Sequence, residues 1–88
     1  MSYRAFIRFS LDGDNGALTT CLSNLLTGNG FTKVGTGEYQ IENQTSQQVA
    51  GALRAFWKAL EDPQLAFPGV SIPGATRVDH VWAYSGTH

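Results

Sequence analysis

At 88 residues the chain is long enough for one domain that folds without disulfides or a structural metal. An apolar fraction of 42% excludes a disordered chain. Charged residues are only 15% and the net charge is −1, so no global field draws the protein to nucleic acid or a membrane, and such binding would need a local patch.

No apolar run approaches the roughly 20 residues that a membrane helix requires. Near the N-terminus the apolar residues alternate and are interrupted by Arg4 and Arg8, unlike a signal peptide. Cys21 is the single cysteine, so no internal disulfide forms, and a reducing compartment is expected. The expected setting is the cytoplasm, with no membrane partner.

The first predicted element is a strand over Tyr3–Leu11. Alternation puts Tyr3, Ala5, Ile7, Phe9 and Leu11 on one face and Arg4, Phe6, Arg8 and Ser10 on the other. The first face is wholly apolar, as a strand covered by helices requires. The second is too cationic for core and too aromatic for ordinary surface. An acidic turn follows at Asp12–Gly16, in which Asp14 or Asn15 is placed to cap the next helix.

Leu18, Cys21, Leu22, Leu25 and Leu26 then mark one helical face, which Gly28-Asn29-Gly30 terminates. Cys21 sits on that stripe and reads as a small core residue. Two short strands, Phe31–Val34 and Glu38–Glu42, flank Gly35-Thr36-Gly37, a hairpin connection with room for a bulge. This glycine pair lacks the Gly-Lys-Ser/Thr ending of a phosphate loop.

Thr45 and Gln48 make a capping box at the start of a second helix. Val49, Ala52, Leu53, Phe56 and Leu60 face inward there, with Arg54 and Lys58 on the exposed side. Lys58 is within reach of Glu61 or Asp62, and Trp57 lies off the buried stripe. The three prolines of residues 62–76 argue against a helix and interrupt strand pairing. Its Leu65, Phe67, Val70 and Ile72 imply that this apolar Pro/Gly-rich insertion lies against the body or a second copy. Arg77–Tyr84 reads as a final strand, and Ser85–His88 as a frayed tail. Periodicity does not decide whether Val78, His80, Trp82 and Tyr84 or their odd-numbered neighbours face the helices.

The order β-α-β-β-α-β with right-handed crossovers predicts an α+β, ferredoxin-like sandwich, a single domain over residues 1–88. Two helices cover one face of a four-stranded antiparallel sheet. The sheet's other face stays open and carries Arg4, Phe6 and Arg8. Such a face can stack nucleotide bases while arginines clamp phosphates, or it can pack on a second copy. The arginines can equally pair with Glu38 or Asp79.

The stretch Asn29-Gly30-Phe31-Thr32-Lys33-Val34, with Gly37-Glu38-Tyr39 after it, resembles a pattern in one family of small ferredoxin-fold proteins. That ribonuclease-like family includes virulence-associated protein D and the smaller subunit of CRISPR adaptation complexes. The following helix with its small residues and Trp57, and the closing strand Val78–Tyr84, are similar as well. The resemblance implies a homodimer formed through the sheet and cleavage of RNA, or of DNA with a metal ion.

In that family an aspartate ends the first strand, between an aromatic and an aliphatic residue. The matching triplet here is Phe9-Ser10-Leu11. A hydroxyl does not hold magnesium as a carboxylate pair does, nor act as a base near neutral pH without an activator. Asp12 has the same strand parity and is the substitute candidate, both as catalytic acid and as magnesium ligand, with Asp14 as a helper. Both acids also serve as turn formers and caps. Ser10 has only His80 as a base, with nothing evident to orient it. No Cys/His cluster has zinc-ligand spacing.

Three readings follow. The first is a homodimeric, nucleic-acid-associated member of this group whose nuclease activity is lost or altered. The second is an active metal-dependent endoribonuclease using Asp12. The third is a small-molecule-binding or structural ferredoxin-like domain. Salt-dependent binding of RNA or DNA separates the first two from the third.

Overall fold

The elements follow in the order β1 (Tyr3–Asp12), α1 (Ala17–Gly28), β2 (Thr32–Gly35), β3 (Glu38–Gln44), α2 (Ser46–Glu61), α3 (Pro63–Ala66) and β4 (Arg77–Thr87). They come from a computed structural model that describes residues 3–13, 16–74 and 76–87. The fold is α+β: one antiparallel sheet of order β2-β3-β1-β4, with helices. No helix among the described residues is long and apolar enough to cross a membrane.

Alternation in β1 decides which face is covered. Ala5, Ile7 and Phe9 are buried, and Tyr39 and Ile41 of β3 join them on the same side of the sheet. Leu18, Leu22 and Leu26 of α1 and Val49, Ala52, Phe56 and Ala59 of α2 close over that face. Phe9 is the hub. Its ring stacks on Tyr39 at 5.9 Å between centroids and meets Phe56 at 5.4 Å in a tilted contact. Each such fully buried large side chain contributes roughly 1.5–3 kcal/mol relative to exposure. Cys21 is half-buried at the rim of the α1 stripe rather than inside it.

The helix termini follow local chemistry. Thr45 Oγ1 accepts from the Gln48 N–H at 3.1 Å, and Gln48 Oε1 accepts from the Thr45 N–H at 3.0 Å, which completes the capping box. At the start of α1 the cap position is Gly16, with φ 96° and no side-chain cap. The candidate caps Asp14 and Asn15 lie outside the described residues. Gly30, at φ 94°, makes the left-handed exit from α1 that its Asn-Gly ending predicts.

Three further sequence expectations change. The Pro/Gly segment contains a one-turn helix, α3, where prolines argued for none. Pro63 stands at its first turn, where a missing N–H costs nothing, and the Leu65 N–H donates to Asp62 Oδ1 at 3.3 Å. From that segment Phe67 and Ile72 pack on the core, while Leu65 remains exposed. The expected frayed tail is instead strand: β4 continues to Thr87, with Ser85 opposite Ala5 and Gly86 opposite Arg4. And no ion pair joins Lys58 to Glu61 or Asp62 among the described residues.

The β2–β3 turn fixes the end of the sheet. The Phe9 N–H donates to the Gly37 carbonyl at 3.0 Å, so the turn folds back onto β1. Gly37 has φ 68°, and a Cβ there would lie 2.5 Å from the Phe9 carbonyl oxygen. Gly37→Ala therefore meets both a left-handed backbone and a backbone clash, and should destabilise the fold by about 1–3 kcal/mol. Gly51→Ala, in the α2 interior with nothing within 4 Å of its Cβ, should stabilise by about 0.5–1 kcal/mol. Urea denaturation of the two variants checks the pair, and equal effects would show that the turn is not under this constraint.

Candidate functional site

The face of the sheet away from α1 and α2 is uncovered. β1 presents there Arg4, Phe6, Arg8, Ser10 and Asp12, the five residues that sequence reasoning singled out. β4 lies antiparallel beside it, with Tyr84 opposite Phe6, Trp82 opposite Arg8 and His80 opposite Ser10. Alternation thus brings His80, Trp82 and Tyr84 onto the same face. On the other flank β3 places Glu38 opposite Arg8 and Gln40 opposite Phe6.

The aromatic groups form a platform. Phe6 and Trp82 meet edge to face, with centroids 5.5 Å apart and planes at 68°. Trp82 is 55% exposed and Tyr84 47%, values that leave a ring surface free for a ligand. Gly86 gives the Tyr84 ring space along β4, since a Cβ there would lie 2.8 Å from the phenolic oxygen. Two hollows flank Phe6. One, of about 210 Å³, lies between Arg4, Gln40 and Tyr84. The other, of about 440 Å³, is lined by Phe6, Arg8, His80 and Trp82.

The arginines differ in their surroundings. Arg8 Nε lies 3.6 Å from Glu38 Oε2, an exposed pair that screening makes weak and that a ligand can displace. Arg4 makes no ion pair among the described residues, and its neighbour across β4 is Gly86.

Beyond Arg8 the register breaks. Ser10 stands opposite His80, yet Leu11 stands opposite Val78, so β4 carries one extra residue, Asp79. This bulge splits the set that simple alternation had grouped: Val78 turns to the helix side, toward Val81 and Trp57, while His80, Trp82 and Tyr84 stay on the open face. It also lets Asp79 reach its neighbour: Asp79 Oδ2 is 3.2 Å from His80 Nδ1. An orienting group for His80 therefore exists, contrary to the sequence expectation. Ser10 itself makes no hydrogen bond to His80 among the described residues.

Asp12 is exposed and stands opposite Arg77 across the β1–β4 pair. Among the described residues no three His, Cys, Asp or Glu side chains are grouped to hold an ion. Asp14, the suggested helper, lies outside the described residues.

Trp82 and Tyr84 were not among the candidate site residues read from the sequence, and His80 entered only as a base for Ser10. Their shared parity was visible, but its assignment to the open face depends on pairing with β1 and on the bulge. The chain matches no family model, no curated protein and no solved structure.

These side chains are spare to the fold. Arg8→Ala should change stability by no more than about 0.5 kcal/mol, and Trp82→Ala, which loses one edge contact, by no more than about 1.5 kcal/mol. Phe56→Ala in the core should cost about 3–5 kcal/mol. Thermal melts of the three variants provide the comparison. A loss at Trp82 equal to that at Phe56 would make the open face a structural surface.

Proposed function

We propose that this protein is a ferredoxin-like domain that binds single-stranded nucleic acid on its open sheet face, in the manner of a homodimeric member of the virulence-associated protein D group without metal-dependent nuclease activity. The observation that carries the reading is the placement of Phe6, Trp82 and Tyr84 on one uncovered face with Arg4 and Arg8 interleaved. Exposed rings stack bases irrespective of sequence, and arginines between them take the phosphates. The strand order, with the first strand between the third and the last, supports a ferredoxin-like reading of the α+β fold.

Charge sets the path of the strand. Glu38 and Glu42 lie on β3, while Arg4 and Arg8 are on β1 and the free rings on β4. A polyanion therefore runs over β1 and β4, away from β3. The absence of a carboxylate at Ser10 and the displacement of Asp12 argue against magnesium-dependent cleavage. Catalytic positioning works on the ångström scale, and Asp12 stands two residues, roughly 7 Å, from the family position.

The second copy is expected along β4. That strand is 11 residues long and forms one edge of the sheet, whereas β2 at the other edge has four. From His80 to Gly86 it carries no proline, lysine or bulge of the kind that blunts an edge. Pairing of two β4 edges would join the two open faces into one surface. Light scattering at micromolar concentration should give twice the chain mass. A mass of one chain that does not change on concentration overturns the dimer.

Fluorescence anisotropy of labelled single-stranded RNA and DNA at several salt concentrations tests the platform. Replacing Arg4 and Arg8 together by Ala should weaken binding and lower the salt slope by roughly 1.4, two phosphate contacts at about 0.7 each. Trp82→Ala should weaken binding without changing that slope. No binding, or a slope unaltered by the double replacement, removes the reading in favour of a small-molecule or structural domain. Added magnesium should produce no cleavage beyond that seen in EDTA. Ser10→Asp should gain metal binding by calorimetry more readily than Asp12→Ala loses any activity. Robust magnesium-dependent cleavage that disappears in Asp12→Ala, with circular dichroism unchanged, would promote the nuclease instead.

A further inference from the structure

We propose that His80 is a general base that cleaves RNA without a metal ion, at a phosphodiester seated where β1 runs past the β2–β3 turn. The inference rests on the nucleic-acid reading of the open face and names the chemistry of one end of it. β3 begins opposite Arg8, so the last residues of β1 have no strand on that flank. The space left is a cleft of about 370 Å³ into which Arg8, Ser10, Thr36, Gly37 and His80 open. It adjoins the hollow between Phe6, Arg8, His80 and Trp82, so a base stacked on the rings delivers its own phosphate to the cleft.

The bulge at Asp79 supplies what a lone histidine lacks. In a regular strand neighbouring side chains point to opposite faces. The extra residue instead brings the Asp79 carboxylate to 3.2 Å from His80 Nδ1. With Nδ1–H donating to that carboxylate, Nε2 is left as the acceptor. Arg8 lines the cleft with His80 and Asp79 lies against the ring, while Ser10, Thr19, Thr36 and Gly37 bring no charge. His80 is half-exposed, so a strand can reach it.

The roles follow from residue chemistry. His80 Nε2 takes the proton of a ribose 2′-hydroxyl as the 2′-oxygen bonds to phosphorus. The bond from phosphorus to the 5′-oxygen breaks, its electron pair stays on that oxygen, and solvent water protonates it. The hydroxide so formed removes the proton from the imidazolium. The products are a 2′,3′-cyclic phosphate and a 5′-hydroxyl. Arg8 releases its weak exposed pair with Glu38 and holds the charged phosphate oxygens, to which the Ser10 hydroxyl donates. Asp79 is a positioning residue, since it acts only through His80.

The test uses purified protein in excess EDTA with labelled single-stranded RNA, the matching DNA, and DNA holding a single ribonucleotide. The expected result is cleavage of RNA, and of the chimera at its ribonucleotide only, with cyclic phosphate ends and intact DNA. His80→Gln should lower the rate by about 100-fold or more. Asp79→Asn should lower kcat by about tenfold and leave KM within about twofold, a split that loss of binding or fold would not give. RNA that is bound but stays intact overturns the inference and leaves the platform standing. Cleavage that persists in His80→Gln overturns it as well. Failure to bind RNA and DNA alike overturns the platform and the inference together.

Discussion

The alternation of β1 is the constraint on which the rest of the structure depends. It is an interior strand, paired on one side with β3 and on the other with β4. Its odd residues supply Ala5, Ile7 and Phe9 to the core, and its even residues supply Arg4, Phe6 and Arg8 to the open face. A slip of one residue in either pairing would turn two arginines into the helix layer and expose Ile7 and Phe9. Burying an unpaired guanidinium is far costlier than any pairing energy recovered by the slip. The cationic face therefore helps to specify the register that exposes it, so the same residues serve fold and candidate site.

The bulge in β4 is the second device. It costs one ladder position at the end of the β1–β4 pair, and it re-aims two side chains at once. Val78 moves to the apolar side near Trp57, Leu60 and Val81, where a regular strand would have turned it to solvent. Asp79 comes beside His80. The result is an apolar edge on the helix side and a polar cleft on the open side, separated by one strand.

Much of this was legible in the sequence and some was not. Period-two alternation in Tyr3–Leu11, period-3.6 spacing in both long helices and the Thr45–Gln48 capping box each report local physics, and each element stands where it was expected. The one-turn helix at Pro63 was legible too, since Asp62 followed by proline is a helix start, but the prolines at 68 and 73 outweighed it. The continuation of β4 through Ser85 and Gly86 was not, because those residues have low strand propensity and are held by pairing with Ala5 and Arg4. Nor was the bulge: Asp79 carries no glycine or proline to mark it. Half of the site, the β1 face, came from alternation alone. The β4 half required knowing which strand lies opposite and in what register.

Magnitudes decide what kind of ligand such a face would hold. The net charge of the chain is −1, and two arginines between the rings contribute only a modest counterion term. Stacking is the larger contribution, about 1–3 kcal/mol for each base on an aromatic ring. With Phe6, Trp82 and Tyr84 the sum is roughly 3–9 kcal/mol before ordering of the strand is subtracted, whereas micromolar affinity needs about 8 kcal/mol. On the proposed reading one copy would make a weak platform that favours single strands, whose bases are unstacked and accessible, over duplexes. Two copies joined along β4 would present six rings on a continuous surface, and binding to the second would be intramolecular. On this accounting dimerisation is what would turn an aromatic face with little charge into a useful binding site.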